Sequence, residues 1–219
     1  MFLSVTWLAP AGKSGKPACE AMQPRRRLKP ANRNTFAMFK SLFGLGRRPN
    51  REVSDALYEA IVASARQTFF YAECDVPDSP LGRYEMLAVH MFLFLERARG
   101  GSVALSDLAQ ELTDEFFKDV EHSLRELGIG DLGVPKRMKK LAKMFYGRAE
   151  AYRTAITDND RPALAAALAR NIWPDRQEQP HATELAAYVE RAHLLLAGQV
   201  ESDLLSGRIE FPNAGEVAS

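Results

Sequence analysis

Residues Leu124 to Tyr152 read LRELGIGDLGVPKRMKKLAKMFYGRAEAY, and they decide the fold. Two helical segments flank a loop that holds Gly128, Gly130 and Gly133. Gly128 suits a helix C-terminus, because glycine enters the left-handed region without a Cβ penalty. Pro135 suits the first turn of the next helix, where its missing N–H costs nothing. Beyond it Met138, Leu141, Phe145, Tyr152 and Ile156 fall along one helical face. The Gly-x-Gly word over Gly128 to Gly133 follows a helix and no strand, so it reads as an interhelical turn, not a dinucleotide fingerprint.

Helical spacing extends outward in both directions. The pattern predicts a first helix from about Ser54 to Glu73, with Ser54 as N-cap and Leu57, Ile61, Ala65 and Phe69 at spacing four. A second helix is expected to be capped by Ser79, to start at Pro80 and to stop at Gly100-Gly101. A third takes Ser106 as cap and turns Leu108, Leu112, Phe116, Val120, Leu124 and Leu127 inward. After the fourth, around Pro135, Asp160 caps a short fifth that ends near Trp173-Pro174, and Thr183 with Glu184 opens a sixth through Leu185, Val189, Leu196 and Val200. No strand-like alternation competes. The expectation is an all-α, bundle-like single domain of about six helices over residues 51–206, with residues 207–219 as a C-terminal tail.

Charge separates the two ends of the chain. Of 219 residues, the first 50 hold ten basic residues and one acid, Glu20, a net of +9; the remaining 169 hold 19 basic and 27 acidic residues, a net of −8. Residues 1–50 read as a basic, flexible leader on an acidic domain, and such an arm seeks anionic surfaces. Phe2 to Pro10 is too short for the apolar core of a secretory signal and precedes the charges. Pro10, Pro17, Pro24 and Pro30 break the amphipathic helix a mitochondrial presequence needs. A native start at Met38 is the third reading. From there Phe39, Leu42 and Phe43 repeat at three and four, flanked by Lys40, Arg47 and Arg48, as in short interfacial membrane anchors. Cys19 and Cys74 suggest no disulfide scaffold and no cysteine zinc site, which fits a reducing compartment. The longest apolar run, Met86 to Leu95, is half of the roughly 20 residues a bilayer requires.

The fourth helix carries Lys136, Arg137, Lys139, Lys140, Lys143 and Arg148 with no acid between Asp131 and Glu150. A charge run is usually a solvated face. Lys136 and Arg137, however, occupy the first turn, where the helix dipole disfavours cations by a few tenths of a kcal/mol each. Charge kept at a poor position suggests an anionic partner. Tyr146 lies beside the core stripe, and Asp131 is placed to cap the next segment or to accept from Lys136 or Arg137. These eight residues form the candidate partner-binding set. Catalytic alternatives lack their parts: there is no Gly-x-Ser-x-Gly word and no phosphate-binding loop. Glu190-Arg191-Ala192-His193 is one Glu-x-x-His word, and Asp119 to His122 a near miss whose side chains diverge from the core, so neither a metal nor another cofactor is expected.

The same stretch resembles the ubiquinol-cytochrome c chaperone family. The words are Ser123-Leu124-Arg125-Glu126 with Gly128-Ile129-Gly130-Asp131, then Val134-Pro135-Lys136-Arg137-Met138-Lys139, then Phe145-Tyr146-Gly147-Arg148 with Ala151-Tyr152. Weaker similarity at His90-Met91-Phe92-Leu93 and Ala169-Arg170-Asn171 extends it over about residues 55–175, leaving the tail before Met38 and the last forty residues outside. The resemblance implies a non-catalytic chaperone that binds newly made cytochrome b and passes it to the assembling bc1 complex. It implies a cytoplasmic protein on the periphery of the inner membrane, with mitochondria as the alternative. The basic helix then faces anionic lipid or a ribosomal RNA surface, and no DNA partner is implied. The rival reading is an all-α RNA- or ribosome-binding module without client specificity.

Overall fold

The computed structural model describes residues 51–176 and 179–217, so the leader, with Phe39, Lys40, Leu42, Phe43, Arg47 and Arg48, lies outside the described residues. Nine helices follow one another among the described residues: α1 (Arg51–Ala65), α2 (Thr68–Ala72), α3 (Pro80–Ala98), α4 (Val103–Glu126), α5 (Val134–Thr157), α6 (Arg161–Ile172), α7 (Ala182–Gly198), α8 (Glu201–Leu204) and α9 (Ala214–Val217). Six span twelve residues or more. The all-α expectation holds.

The central element is α3, which packs against α1, α4, α5, α6 and α7. Its sequence explains the position: every residue from Ala88 to Phe94 is buried, and a helix apolar on all sides has no solvent face to present. Ser79 caps it, its hydroxyl accepting from the Gly82 N–H at 3.2 Å. Gly82 is required there, since a Cβ would lie 2.0 Å from the Pro77 carbonyl oxygen. One flank of α3 supplies Met86, Val89, Phe92 and Leu93 to a core shared with α6 and α7. The other supplies Ala88, Met91 and Phe94 to a core shared with α1, α4 and Phe145 of α5.

Several boundaries differ from the pattern. The first helix breaks after Ala65, where Gln67 is extended at φ −54°, ψ 130°. The break resets the helical phase, so Phe70 enters the core while Phe69 is only half-buried. Ser54 is not a cap; it lies inside α1 and donates to the Arg51 carbonyl at 3.0 Å. The cap of α4 is Ser102, which accepts from Leu105 N–H at 3.2 Å, one turn before Ser106. At its other end α4 stops at Glu126, so Leu127 is the C-cap residue and is exposed. Val200 is also exposed, because α7 stops at Gly198.

The segment expected as a C-terminal tail packs onto the domain. Ile209 and Phe211 rest on the core and Ala214 is buried. Gln67 anchors the segment from the α1–α2 break: its Nε2 donates to the Pro212 carbonyl at 3.1 Å and its Oε1 accepts from the Ala214 N–H at 2.8 Å. Phe211 also meets the His90 ring at 5.1 Å. His90 is fully buried in α3. Its Nδ1 lies 2.8 Å from the Met86 carbonyl, which only accepts, so the proton sits on Nδ1 and Nε2 accepts from the Tyr188 hydroxyl at 2.8 Å. Burial holds the ring neutral, lowering its pKa to about 4. Cys74 is a buried free thiol, pushed up to about 12 by the same desolvation.

Candidate partner-binding surface

The loop between α4 and α5 is built by short-range bonds. Gly128 takes φ +78° and ends α4, its N–H donating to the Arg125 carbonyl at 2.9 Å. A tight turn follows, closed by the Gly133 N–H on the Gly130 carbonyl at 2.8 Å. Asp131 does not cap α5 and does not accept from Lys136 or Arg137. It is tied instead to Arg125, whose other guanidinium nitrogen reaches Glu121 at 2.8 Å. Position Gly133 heads α5 with no side-chain cap, and Pro135 sits in the first turn.

Lys136, Arg137, Lys139, Lys140 and Lys143 are all exposed. None of them forms an ion pair among the described residues. At 100° per residue they occupy an arc of about 160°, opposite the stripe of Val134, Met138, Leu141 and Phe145 that meets the core. Five of the six predicted cations therefore share one solvent face.

Arg148 departs from that face. Its Nη1 lies 2.7 Å from Glu85 Oε1 of α3, with side chains 13% and 2% exposed respectively. Burial lifts the Glu85 carboxyl to about 7 despite the adjacent guanidinium. The wheel carries the signal: Arg148 falls beside Leu141, and Glu85 falls between Val89 and Phe92, inside the apolar stripe of α3. A charge within a stripe asks for a buried partner. Glu85 carries the same signal in the sequence but is not among the candidate residues named from it. Tyr146 is half-buried on the opposite flank of α5, edge-on to Phe145 at 5.3 Å and beside Phe117 at 6.4 Å.

A further groove, of about 290 Å³, runs between α5 and α6 and is lined by Gly147, Arg148, Ala151, Ala167, Arg170 and Asn171. A neighbouring groove between the same helices is lined by small residues at spacing four, Gly147, Ala151 and Ala155 on α5 with Ala163 and Ala167 on α6. The candidate metal words are dispersed. Glu190 is held by Arg161 at 2.6 Å, Asp119 accepts from the Tyr58 hydroxyl at 3.0 Å, and His122 faces Glu126 at 3.1 Å. Among the described residues no three potential ligands converge, and no helix is long and apolar enough to cross a membrane.

This arrangement matches a known one. The family model for the ubiquinol-cytochrome C chaperone matches residues 72–211. The chain belongs to the ubiquinol-cytochrome c chaperone family. It is also similar to the crystal structure of the Cbp3 homolog from Brucella abortus, with 52% sequence identity and a TM-score of 0.73, over 84% of this chain and 97% of that one. No curated protein matches the chain. The family match corrects one boundary: it runs to Phe211, through residues that the sequence resemblance left outside, which fits the packing of Phe211 against His90. In this member of the chaperone family, the matched words Gly128 to Asp131 and Val134 to Lys139 form the loop and the exposed cationic turns, while the word that ends at Arg148 runs into the core.

Proposed function

We propose that the protein is a non-catalytic assembly chaperone that binds newly synthesised cytochrome b and promotes assembly of the ubiquinol-cytochrome c reductase complex. Membership of the chaperone family carries the reading. The cationic face of α5 supports a second element of it: Lys136, Arg137, Lys139, Lys140 and Lys143, unpaired on an otherwise acidic domain, with Tyr146 at the flank, meet an anionic partner during client transfer. We place the protein in the cytoplasm, peripherally on the inner membrane, where the client is made and where anionic headgroups lie. The leader residues Phe39, Lys40, Leu42, Phe43, Arg47 and Arg48 are proposed as an additional membrane contact.

Pull-down under mild detergent tests the client. Recovery of cytochrome b supports the proposal, and recovery of ribosomal RNA alone favours an RNA-binding module. A deletion strain tests the role: b-type haem absorbance and bc1 activity should both fall, and normal levels of both overturn it.

A further inference from the structure

We infer that the loop between α4 and α5 is the membrane-contact element of the folded domain: Leu132 enters the headgroup boundary of an anionic bilayer while Lys136, Arg137, Lys139 and Lys140 hold the lipid phosphates. The inference rests on the peripheral-membrane part of the proposed function and assigns it to named residues.

Leu132 is 101% exposed, as open as a residue in an extended peptide, and Leu127 on the other limb of the loop is exposed too. Single exposed leucines are common on soluble surfaces and carry little by themselves. Three further observations give this one a meaning. First, Leu132 is displayed by a pinned turn: the Gly133 N–H closes onto Gly130, and Asp131 beside it is bound to Arg125. Second, Ile129 is half-buried against the turn, its Cγ2 3.3 Å from where a Cβ on Gly133 would stand, so the loop shelters one apolar side chain and presents the other. Third, cations follow at once. Between residues 121 and 143 six basic residues stand against three acids. Those acids are already engaged, Glu121 and Asp131 by Arg125 and Glu126 by His122, whereas Lys136, Arg137, Lys139 and Lys140 have no ion pair among the described residues.

An exposed apolar tip followed directly by unpaired cations is the pattern of an interfacial membrane contact. RNA fits it less well. Phosphates are served by the cations alone, and an aliphatic leucine offers no ring on which a base can stack. The dipole of α5 favours an anionic surface of either kind, because cations in a first turn are disfavoured in the free protein and relieved by one; Leu132 makes the distinction.

The test uses the full chain and vesicles of equal parts phosphatidylglycerol and phosphatidylcholine, with pure phosphatidylcholine as control. The basic leader can itself bring the chain to such vesicles, so the readout must report on position 132. Leu132→Trp should show fluorescence quenching by brominated acyl chains in anionic vesicles, above the signal of the wild type with its native tryptophans. Leu132→Asn should weaken partition about tenfold, the worth of most of a leucine side chain leaving water. Lys136→Gln with Arg137→Gln should weaken it about fivefold per cation. Position 132 is exposed, so each variant should melt as the wild type does.

Vesicle binding without quenching at position 132, and with Leu132→Asn unchanged, overturns the loop assignment and leaves the peripheral reading standing. No binding of the wild type to anionic vesicles overturns both. Cation-dependent binding to poly(U) that is insensitive to Leu132, in place of vesicle binding, assigns the face to RNA and overturns the inference as well.

Discussion

Arg148 Nη1 and Glu85 Oε1 lie 2.7 Å apart inside the domain, so the last cation of the run from Lys136 to Arg148 is a structural residue that joins α5 to α3. Burial of Glu85, only partly offset by Arg148, makes stability depend on pH in a defined sense. The Glu85 carboxyl stands at about 7 in the folded protein against an ordinary 4.5. Between those values the folded state holds a proton that the unfolded chain has released, so stability from this group grows as pH falls from 7 and is lost as pH rises. Arg148→Met leaves Glu85 buried without its counter-ion and should cost about 3 kcal/mol at pH 8, the low end for a broken buried pair. Much of that loss should return at pH 5.5, where the carboxyl is protonated, and Glu85→Gln added to Arg148→Met should remove most of the pH dependence. Thermal melts at the two pH values decide it; an equal loss at both exonerates Glu85.

The exposed cations should behave in the opposite way. Replacing Lys136, Arg137, Lys139 and Lys140 by Glu leaves Met138, Leu141 and Phe145 in place and touches only solvated positions. Stability should shift by under about 0.5 kcal/mol per site, and acids in the first turn suit the helix dipole. Support for bc1 assembly should nevertheless collapse. The wild-type interaction should also weaken with salt, because exposed charges are screened over about 8 Å at physiological ionic strength. A folded quadruple variant with full complementation would show that this face is merely solvated.

His90 sets a second pH dependence, of opposite sign to Glu85. Its folded value of about 4 lies below its ordinary 6.5, so its contribution is complete above pH 6.5 and is lost as pH falls toward 4. Tyr188→Phe strips the hydroxyl from Nε2 and should cost about 1–3 kcal/mol at pH 7, the price of an unsatisfied buried acceptor. His90→Leu combined with Tyr188→Phe removes both polar groups and should be milder than Tyr188→Phe alone. The double variant should also lose less stability than the wild type between pH 6.5 and 4.5, by chemical denaturation. A steeper acid loss in the double variant would contradict the assignment.

The C-terminal segment should prove part of the folded unit. Deleting residues 208–219 removes Ile209, Phe211 and Ala214 from the core and frees both ends of the Gln67 amide. A truncated chain should melt well below the full one. Gln67→Ala, which loosens the segment without removing it, should cost about 1–2 kcal/mol for two hydrogen bonds. Increased hydrogen exchange confined to α2 and α9 would mark the cause, and an unchanged melt on truncation would restore the tail reading.

What the sequence determined by itself is whatever depends on near neighbours. Caps and stops act over three or four residues, so Ser79, Gly128 and Asp160 announced their helices, and Asp160 indeed accepts from Ala163 N–H at 2.8 Å. The all-α class, the basic turns of α5 and the family words are equally local. The rest was decided by distant partners. Ser102 and Ser106 are both sound caps by composition, and the core contacts of Leu105 and Leu108 fix the register. The break at Gln67 exists because its amide closes onto Pro212 and Ala214 at the far end of the chain, and that break puts Phe70 inside in place of Phe69. Arg148 looked like one more member of a cationic run, and only the packing of α5 against α3 turned it to Glu85. Local periodicity names the face a side chain occupies; burial and desolvation, set by helices remote in sequence, decide whether that face meets water, a buried counter-charge or a partner.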